Sequence, residues 1–481
     1  MGIQRILGLL LVAFSVTLLP PMAVSLWYAD DALRPFVLAF GLTLTAGTLI
    51  WLPVHRLRRD LRLRDGFVIV AMFWIVLGLL GALPFMFAPD LRLSFTDAVF
   101  ESVSGWTTTG ATVLTHIDDL PRSLLYYRQQ LQWLGGMGIV VLAVAVLPML
   151  GIGGMQLYRA GTPGRIKDSK LTPRIAETAR ALWYIYLGLT VACALAYWLA
   201  GMSAFDALAH SFSTVATGGF STHDAGMAYF ANQPLVQLVA IPFMLLAGAS
   251  FALHFVAWRS FSLRRYWQDS EFKTYLAVIA LVVIVTCGYL YYSGMFARRD
   301  TTVLEAVFQS VAIVTTTGFT AAPFHSWPNF IPVLLLFSSF IGACAGSTGG
   351  GMKAMRFLLL LKQGRREVAR VIHPNAVVHI RLDSQALPDR VVDSVWGFFA
   401  AYVASFSVVL VLLMATGLHE VSAFSAVAAC MNNLGPGLGA LSANYASVTP
   451  AAKWILAFAM VLGRLEVFTL LVLLTPAFWR R

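Results

Sequence analysis

The sequence predicts an all-α integral membrane protein, with four helix–pore-loop–helix repeats around a central pore, preceded by two extra N-terminal transmembrane helices. Three observations carry that prediction. Of the 481 residues, 58% are hydrophobic and only 12% charged, whereas soluble domains carry about 25% charged residues. The apolar runs show no strand-like alternation, so helices must satisfy the backbone within the bilayer. The chain also repeats itself. The segments SVSGWTTTGAT (102–112), SFSTVATGGFS (211–221), SVAIVTTTGFT (310–320) and AACMNNLGPGL (428–438) each hold a glycine, at Gly110, Gly219, Gly318 and Gly435. Thirteen residues before each glycine lies Asp97, Asp206, Glu305 or Ser422, each followed by alanine. A fixed offset inside a period of about a hundred residues marks a unit several helices long.

In chain order, runs of spanning length lie near 6–28, 36–54, 66–88, 126–150, 181–201, 234–258, 273–294, 330–361, 395–416 and 452–478. Shorter runs lie near 94–106, 203–216, 302–315 and 420–432. Crossing the hydrocarbon takes about 20 helical residues, and about 13 residues reach only some 20 Å. Each repeat therefore reads as helix, half-helix, extended loop, helix. The units are an N-terminal helix pair (1–60), repeat 1 (61–160), repeat 2 (161–266), repeat 3 with a broken second helix (267–372) and repeat 4 (373–481). Arg5 ahead of an apolar run imitates a signal peptide. The run is long, holds Pro20 and Pro21 and lacks a small-x-small cleavage site, so a retained helix is expected. Ser94, Ser203 and Thr302 precede Asp97, Asp206 and Glu305 by three, the spacing of a capping box. The carboxylates are thus read as caps rather than as an acidic ring. The fourth repeat lacks the pattern at Ser422.

Charge sets orientation. The net charge of +11 is not a nucleic-acid signature, because the basic residues sit between apolar spans. Arg56, Arg58, Arg59, Arg62 and Arg64 crowd one loop, and Arg159, Arg165, Lys167, Lys170, Arg174 and Arg180 the next on that side. Arg259, Arg264, Arg265 and Lys273 follow, then Lys362, Arg365, Arg366, Arg370, Arg381 and Arg390, then Arg480 and Arg481. The opposite side holds Asp30–Asp31, Asp118–Asp119, His223–Asp224 and Arg298–Asp300. The basic side is expected to be cytoplasmic, with both termini inside and the four short loops opening outward. Cys193, Cys287, Cys344 and Cys430 lie in apolar stretches without a CxxC or a histidine partner and read as buried thiols.

The repeated Thr-Gly segments fit dehydrated cation selection. Backbone carbonyls replace a potassium ion's water, and glycine takes the positive-φ conformations that direct successive carbonyls inward. Thr108, Thr109 and Gly110; Thr217, Gly218 and Gly219; Thr316, Thr317 and Gly318; and Asn433, Leu434 and Gly435 are the expected filter residues. Half-helix C-termini add their partial negative charge. One such segment would be ordinary small-residue packing, but four at matching offsets are not. A second coincidence lies 28 residues after each filter glycine, at Gly138, Ala247, Gly346 and Gly463. In repeat 3, Gly342, Gly346, Gly349, Gly350 and Gly351 are expected to break the helix, which at mid-membrane survives only when lining a cavity or buried in protein. Arg464 follows Gly463, and a mid-membrane arginine normally faces a water-filled path. The reading is a gate: a loop that obstructs the pore and a cation that repels cations. The alternative is a kinked helix whose Arg464 pairs with Glu466 or a neighbouring carbonyl. Lys353 is read as snorkelling to the inner water boundary. AGSTGGGMK lacks the GxxxxGK[ST] spacing of a phosphate loop.

On these segments, the broken GACAGSTGGGMK (342–353), NNLGPGLG (432–439) and the terminal GRLEVFTLLVLLTPAFWR (463–480), the chain resembles the TrkH/KtrB superfamily of potassium transporters over essentially its whole length. The two helices before residue 60 resemble an extra pair that one branch of the family carries. The resemblance implies potassium uptake across the bacterial inner membrane through four units around one pore. It also implies a homodimer and a cytoplasmic ring of TrkA-type (RCK) nucleotide-binding subunits. It assigns potassium selectivity to the four filter glycines, and the intramembrane loop and pore arginine to 342–353 and Arg464. Only repeats 1 and 3 read TTTG, a departure from a full TVGYG filter. No cofactor is expected in this chain beyond the transported K+. A secondary K+ symporter coupled to H+ or Na+ is the alternative; inverted repeats would mark it, and here all four units share one orientation. An intramembrane enzyme is not expected, since there is no HExxH, no GxSxG and no paired membrane carboxylate.

Overall fold

A computed structural model describes residues 2–56, 62–89, 91–141, 171–298, 301–328, 330–383 and 385–480. The N-terminal pair comes first. Helices α1 (Gly2–Val16) and α2 (Leu19–Tyr28) form one apolar stretch, and Pro20 falls in the first turn of α2, where a missing N–H costs little. Helix α3 (Leu33–Trp51) returns along α1. A Cβ on Gly8 would lie 2.7 Å from that of Trp51, and one on Gly47 2.9 Å from that of Leu11, so the two glycines allow the close approach.

Four units follow. Repeat 1 has α4 (Leu63–Leu80), α5 (Leu83–Phe87), the half-helix α6 (Phe95–Trp106) and α7 (Arg122–Val141). Repeat 2 has α8 (Leu171–Leu199), the half-helix α9 (Ala204–Val215), α10 (Pro234–Gly248), α11 (Phe251–Arg259) and α12 (Arg264–Gln268). Repeat 3 has α13 (Ser270–Tyr292), the half-helix α14 (Val303–Val314), α15 (Phe330–Ile341) and α16 (Ala354–Ile372). Repeat 4 has α17 (Asp389–Ala415), the half-helix α18 (Glu420–Met431), α19 (Pro450–Arg464), α20 (Phe468–Leu474) and α21 (Pro476–Trp479).

All four half-helices are 12 residues long, about 18 Å at 1.5 Å per residue, so each must stop inside the bilayer. Each is buried almost throughout its C-terminal half. Each packs on the first helix of its own repeat and on the second. The second helices then hand on: α7 packs on α9, α10 on α14, α15 on α18, and α19 back on α6. That cycle closes the four units into a ring.

The caps refine the sequence reading. Ser94, Ser203 and Thr302 accept from the N–H groups of Asp97, Asp206 and Glu305 at 3.2, 3.0 and 3.1 Å. Only Thr302–Glu305 is fully reciprocal, with Thr302 N–H donating to Glu305 at 2.7 Å. Asp97 and Asp206 instead accept from their own cap hydroxyls and from partners elsewhere: Lys453 at 2.6 Å for Asp97 and Thr222 at 2.8 Å for Asp206.

Six helical stretches among the described residues are long and apolar enough to cross a membrane. Two expected single spans are bent pairs: 234–258 turns by 94° between α10 and α11, and 452–478 by 114° between α19 and α20. Together with the break expected in repeat 3, three second helices are interrupted near the small residue 28 positions after the filter glycine: just past Ala247 and Gly463, and around Gly346, where the helix already ends at Ile341. In repeat 1, Gly138 lies within continuous α7, and 142–150 falls outside the described residues. The only strands among the described residues are a two-stranded hairpin, Arg381–Leu382 (β1) with Gln385–Ala386 (β2), that an all-helical reading does not anticipate.

Asp118 and Asp224 exchange backbone bonds (3.3 and 3.2 Å) on the face where Asp30 also holds Ser123 N–H at 2.8 Å. At the other end Ser270 binds Asp383 in the turn of the hairpin. Arg58, Arg59, Arg159, Arg165, Lys167, Lys170 and residues 299–300 lie outside the described residues. Cys193, Cys344 and Cys430 are buried and Cys287 is half-buried. Single cysteines placed at Arg64, Arg370 and Arg381 are expected to react with an impermeant thiol reagent only from the cytoplasmic face, and at Asp119 and Arg298 only from outside. Labelling of Arg370 from outside would overturn the orientation.

Candidate functional site

Each half-helix ends in the same way. Thr108, Thr217, Thr316 and Asn433 adopt left-handed conformations, with φ of 53°, 51°, 58° and 52°. A hydrogen bond back across the turn seals the end in three repeats: Thr109 N to Ser104 O, Gly218 N to Ser213 O and Leu434 N to Ala429 O, all 2.8 Å; in repeat 3 the donor is Gly318 N, to Ala312 O at 3.0 Å. Left-handed non-glycine residues cost about 1–2 kcal/mol each. Four at equivalent places are held only because the packing over-determines them.

The glycine two residues on then closes a ring. Gly110, Gly219, Gly318 and Gly435 have φ of 84°, 80°, 75° and 96°. A Cβ on Gly110 would strike the carbonyl oxygen of Gly218; on Gly219, that of Thr317; on Gly318, that of Leu434; on Gly435, that of Thr109. Each filter glycine lies against the carbonyl just before the next repeat's glycine, and the fourth returns to the first. Eight of the twelve residues expected from sequence make these contacts, and the other four, Thr108, Thr217, Thr316 and Asn433, are the left-handed residues that lead into the ring. The four glycines line one outward cavity of about 80 Å³, with Thr112, Ser221, Thr320 and Pro436 above them.

Side chains brace the ring differently in each repeat. Thr107 bonds Thr109 at 2.7 Å and, equivalently, Thr315 bonds Thr317 at 2.8 Å. Gln132 donates to Gly218 O at 2.6 Å, Tyr445 donates to Gly435 O at 2.9 Å, and Asn433 donates to Thr109 Oγ1 at 3.0 Å.

Sequence reasoning missed a second brace, nine residues before each filter glycine. Glu101 accepts from Val113 N–H at 3.0 Å and pairs with Arg128 at 2.9 Å; both side chains are buried. Arg128 also donates to Ser221 O at 3.1 Å, tying the chain beyond filter 2 to repeat 1. His210 meets Ser221 Oγ at 2.9 Å, and Gln309 accepts from Ala321 N–H and donates to Phe319 O, both at 3.1 Å. In repeat 4 that place is Ala426, and Ser425 beside it accepts from Leu438 N–H at 2.9 Å. A polar residue at a fixed offset within an apolar half-helix was the available signal.

Beneath the ring, residues 342–353 run as an irregular loop between α15 and α16. Gly350 N–H donates to Thr316 Oγ1 at 2.6 Å, Gly351 N–H to Asn432 O at 3.2 Å, and Thr348 Oγ1 to Val215 O at 3.0 Å. The loop thus touches the half-helix ends of three repeats. It also fills the break between α10 and α11: Cys344 N–H donates to Gly248 O at 2.9 Å, and Phe251 N–H to Gly346 O at 3.0 Å. Gly346, Gly349, Gly350, Gly351 and Arg464 line one inner cavity of about 20 Å³, little more than one water requires. Gly342 stands at the loop's entry, packed on Gly350 and Gly351.

Arg464 is buried and donates to Thr348 O at 2.9 Å. Its Nε and second Nη have no protein partner among the described residues. Its pairing is therefore with a neighbouring carbonyl and not with Glu466, which is bound to Arg356 from α16. Lys353 does not snorkel: it is buried, and its ammonium turns back to Gly349 O. Its left-handed backbone, φ 78°, directs it toward the loop.

The comparisons with known proteins agree with this architecture. A family model described as TrkH, cation transport protein, matches residues 33–481. The chain is similar to the Trk system potassium uptake protein TrkH of Vibrio parahaemolyticus, 56% identical over 100% of this chain and 99% of that one. It is 53% identical to TrkH of Escherichia coli K12, at the same coverage, and 41% identical to TrkG of that strain over 99% of this chain and 98% of the other. A crystal structure of the potassium transporter TrkH from Vibrio parahaemolyticus superposes with a TM-score of 0.92 at 53% identity, covering 99% of both chains.

At the rim of the cavity above the ring, His223 stacks on Tyr229 at 3.5 Å and lies between two carboxylates, Asp118 at 2.6 Å and Asp206 at 3.5 Å. Burial lowers the His223 pKa, but the hydrogen bonds and charges of Asp206 and Asp118 outweigh it and leave it above the usual histidine value. Burial likewise opposes ionisation of Asp118, and the bond from His223 prevails and lowers it. A raised folded-state pKa means that the clamp's stabilisation is full below about pH 6.5 and is lost as pH rises through the folded value. His223→Gln should therefore lower thermal stability at pH 6, by on the order of 1 kcal/mol for a partly exposed pair. The deficit should shrink by pH 9. An equal deficit at both pH values in a thermal-shift series would refute the clamp.

Proposed function

The chain belongs to the TrkH family of cation transport proteins, and from that premise we propose that it takes up potassium across the bacterial inner membrane through the ring of four filter segments. The cyclic contact of each filter glycine with the next repeat's carbonyl carries the reading. It supports a fourfold, oxygen-lined constriction at the C-terminal ends of four half-helices, where partial negative charge favours a cation without any carboxylate. The relatives are named as potassium uptake proteins of a Trk system, which supports K+ as the cargo.

Loop 342–353 and Arg464 form the gate in this reading. The loop underlies the filter, and the inner cavity is too small for a hydrated ion. Two unpartnered guanidinium nitrogens leave the positive charge of Arg464 only partly compensated, so it opposes an ion in the same passage. Lys353 binds the loop from below, and the Arg356–Glu466 pair ties α16 to the bend after α19. In the same proposal both termini lie in the cytoplasm, on the side of the basic loops. A homodimer, and a nucleotide-binding TrkA-type ring under the basic face, complete the proposal. Complementary charge on those loops would steer such a partner.

Two sets of variants test the reading. Serine at Gly110, Gly219, Gly318 or Gly435 puts a side chain into the neighbouring carbonyl, and the K+ over Na+ preference of proteoliposome uptake is expected to fall by about an order of magnitude. Unchanged preference at all four would sink the filter. Arg464→Ala, and separately deletion of residues 346–350, should each raise rubidium uptake about ten- to a hundredfold, equivalent to removing about 1.4–2.8 kcal/mol of barrier, with selectivity kept. Lost thermal stability without a gain in flux would instead make both features structural.

A further inference from the structure

Glu271 belongs neither to the filter nor to the arginine barrier, yet it holds the loop at both ends. It lies at the start of α13 and is 3% exposed. A carboxylate in the first turn ordinarily serves its own helix. Here Asp269 does that work, accepting from Phe272 N–H at 2.7 Å. One oxygen of Glu271 instead accepts two backbone N–H groups from repeat 3's second half. These are Ala345, near the start of the loop, at 2.6 Å, and Met355, at the start of α16, at 3.1 Å. The residues between those two donors include Gly346, Gly349, Gly350 and Gly351, which line the inner cavity.

We propose that Glu271 is a positioning residue that keeps the intramembrane loop shut by gathering its two ends onto one carboxylate oxygen. The inference rests on reading 342–353 as the gate. Without the carboxylate, two backbone donors at the loop's ends lose their acceptor in a site with little water. The arrangement with the ends together then has no advantage over one with the ends apart. The sequence sets the residue apart as well. At the same offset before the other filter glycines stand Leu63, Thr172 and Pro388, so the carboxylate appears only in the repeat whose second helix opens into the loop. Arg464 reaches the loop's middle at Thr348 O, whereas Glu271 fastens its ends. The two restraints act on different atoms, and removing one leaves the other in place.

The loop carries its own reporter. Cys344 is buried next to Ala345 and held by its N–H to Gly248 O. The test uses the full chain in proteoliposomes with Cys193, Cys287 and Cys430 replaced by serine. Rubidium uptake is read together with the rate at which an impermeant thiol reagent modifies Cys344 from the cytoplasmic face. Glu271→Ala should raise both about tenfold with an unchanged thermal midpoint. Glu271→Gln, which keeps an oxygen for the two N–H groups, should return both toward the parent values. In a chain lacking residues 346–350, Glu271→Ala should change uptake no further. If the alanine variant does not fold, Glu271→Asp, too short to reach both donors, takes its place. Parent-like uptake and Cys344 reactivity in Glu271→Ala would overturn the proposal, as would an additional gain in the loop-deleted chain. If deleting the loop leaves uptake unchanged, the gate reading itself falls. If deletion raises uptake and Glu271→Ala does not, only the role of Glu271 falls.

Discussion

The structure depends on one contact made four times: a glycine without a Cβ lying against the carbonyl that precedes the next glycine in the ring. Nothing larger fits, because a Cβ at each of the four positions would strike the carbonyl of the next repeat. The remaining architecture delivers those four glycines to one axis. Twelve-residue half-helices end at mid-depth because they are too short to cross. Their left-handed ends turn the chain into the ring. The second helices hand on from repeat to repeat, which fixes the spacing between neighbouring filter segments.

Backbone accounting explains why three second helices break and why the breaks cluster. Within a bilayer an open carbonyl or N–H must find a protein partner. The break after α10 exposes Gly248 O and Phe251 N, and the loop of repeat 3 supplies Cys344 N and Gly346 O to them. The loop's own irregular backbone is satisfied in turn by Thr316, Asn432 and Glu271. The bend after α19 lies where Gly463 packs against Met431 O, so tightly that a Cβ there would collide with it. Irregular segments are thus concentrated under the filter because each satisfies another. A lone break at any one of these places would leave polar groups unpaired.

Most of the fold was legible because its signals are long or periodic: spanning runs, four matching offsets, caps at Ser94, Ser203 and Thr302. The filter segments were legible for the same reason. What was missed depends on contacts between distant segments. Composition does not announce a bend at Ala249 and Ser250, since no proline or glycine run marks it; its cause is a loop almost a hundred residues further on. Lys353 reads as a snorkelling residue by position alone, and its left-handed backbone reverses that. Glu466 reads as a partner for Arg464 because it is two residues away, but α20 departs at a sharp angle and Arg356 arrives from another helix. The brace at Glu101, His210 and Gln309 was present in the sequence as an offset. It was overlooked because its three members differ in chemistry and only their shared target, the chain beyond the filter, unites them.

If loop 342–353 is the gate proposed above, a segment with so many bonds must still be able to move. Its contacts with Thr316, Asn432, Gly248 and Glu271 are hydrogen bonds to backbone or side-chain oxygens. While the inner cavity stays near 20 Å³, breaking any one of them leaves an unpaired group, and that penalty keeps the loop closed. Once the loop withdraws far enough to admit water from the inner face, each broken bond is exchanged for one to water, and the net cost per bond falls to about 1 kcal/mol. Opening is therefore cooperative with hydration. The residues that matter most are those whose loss lets the first water in. On that argument Arg464, at the cavity wall, and Glu271, at the loop's ends, control the transition more than the larger number of bonds that follow it.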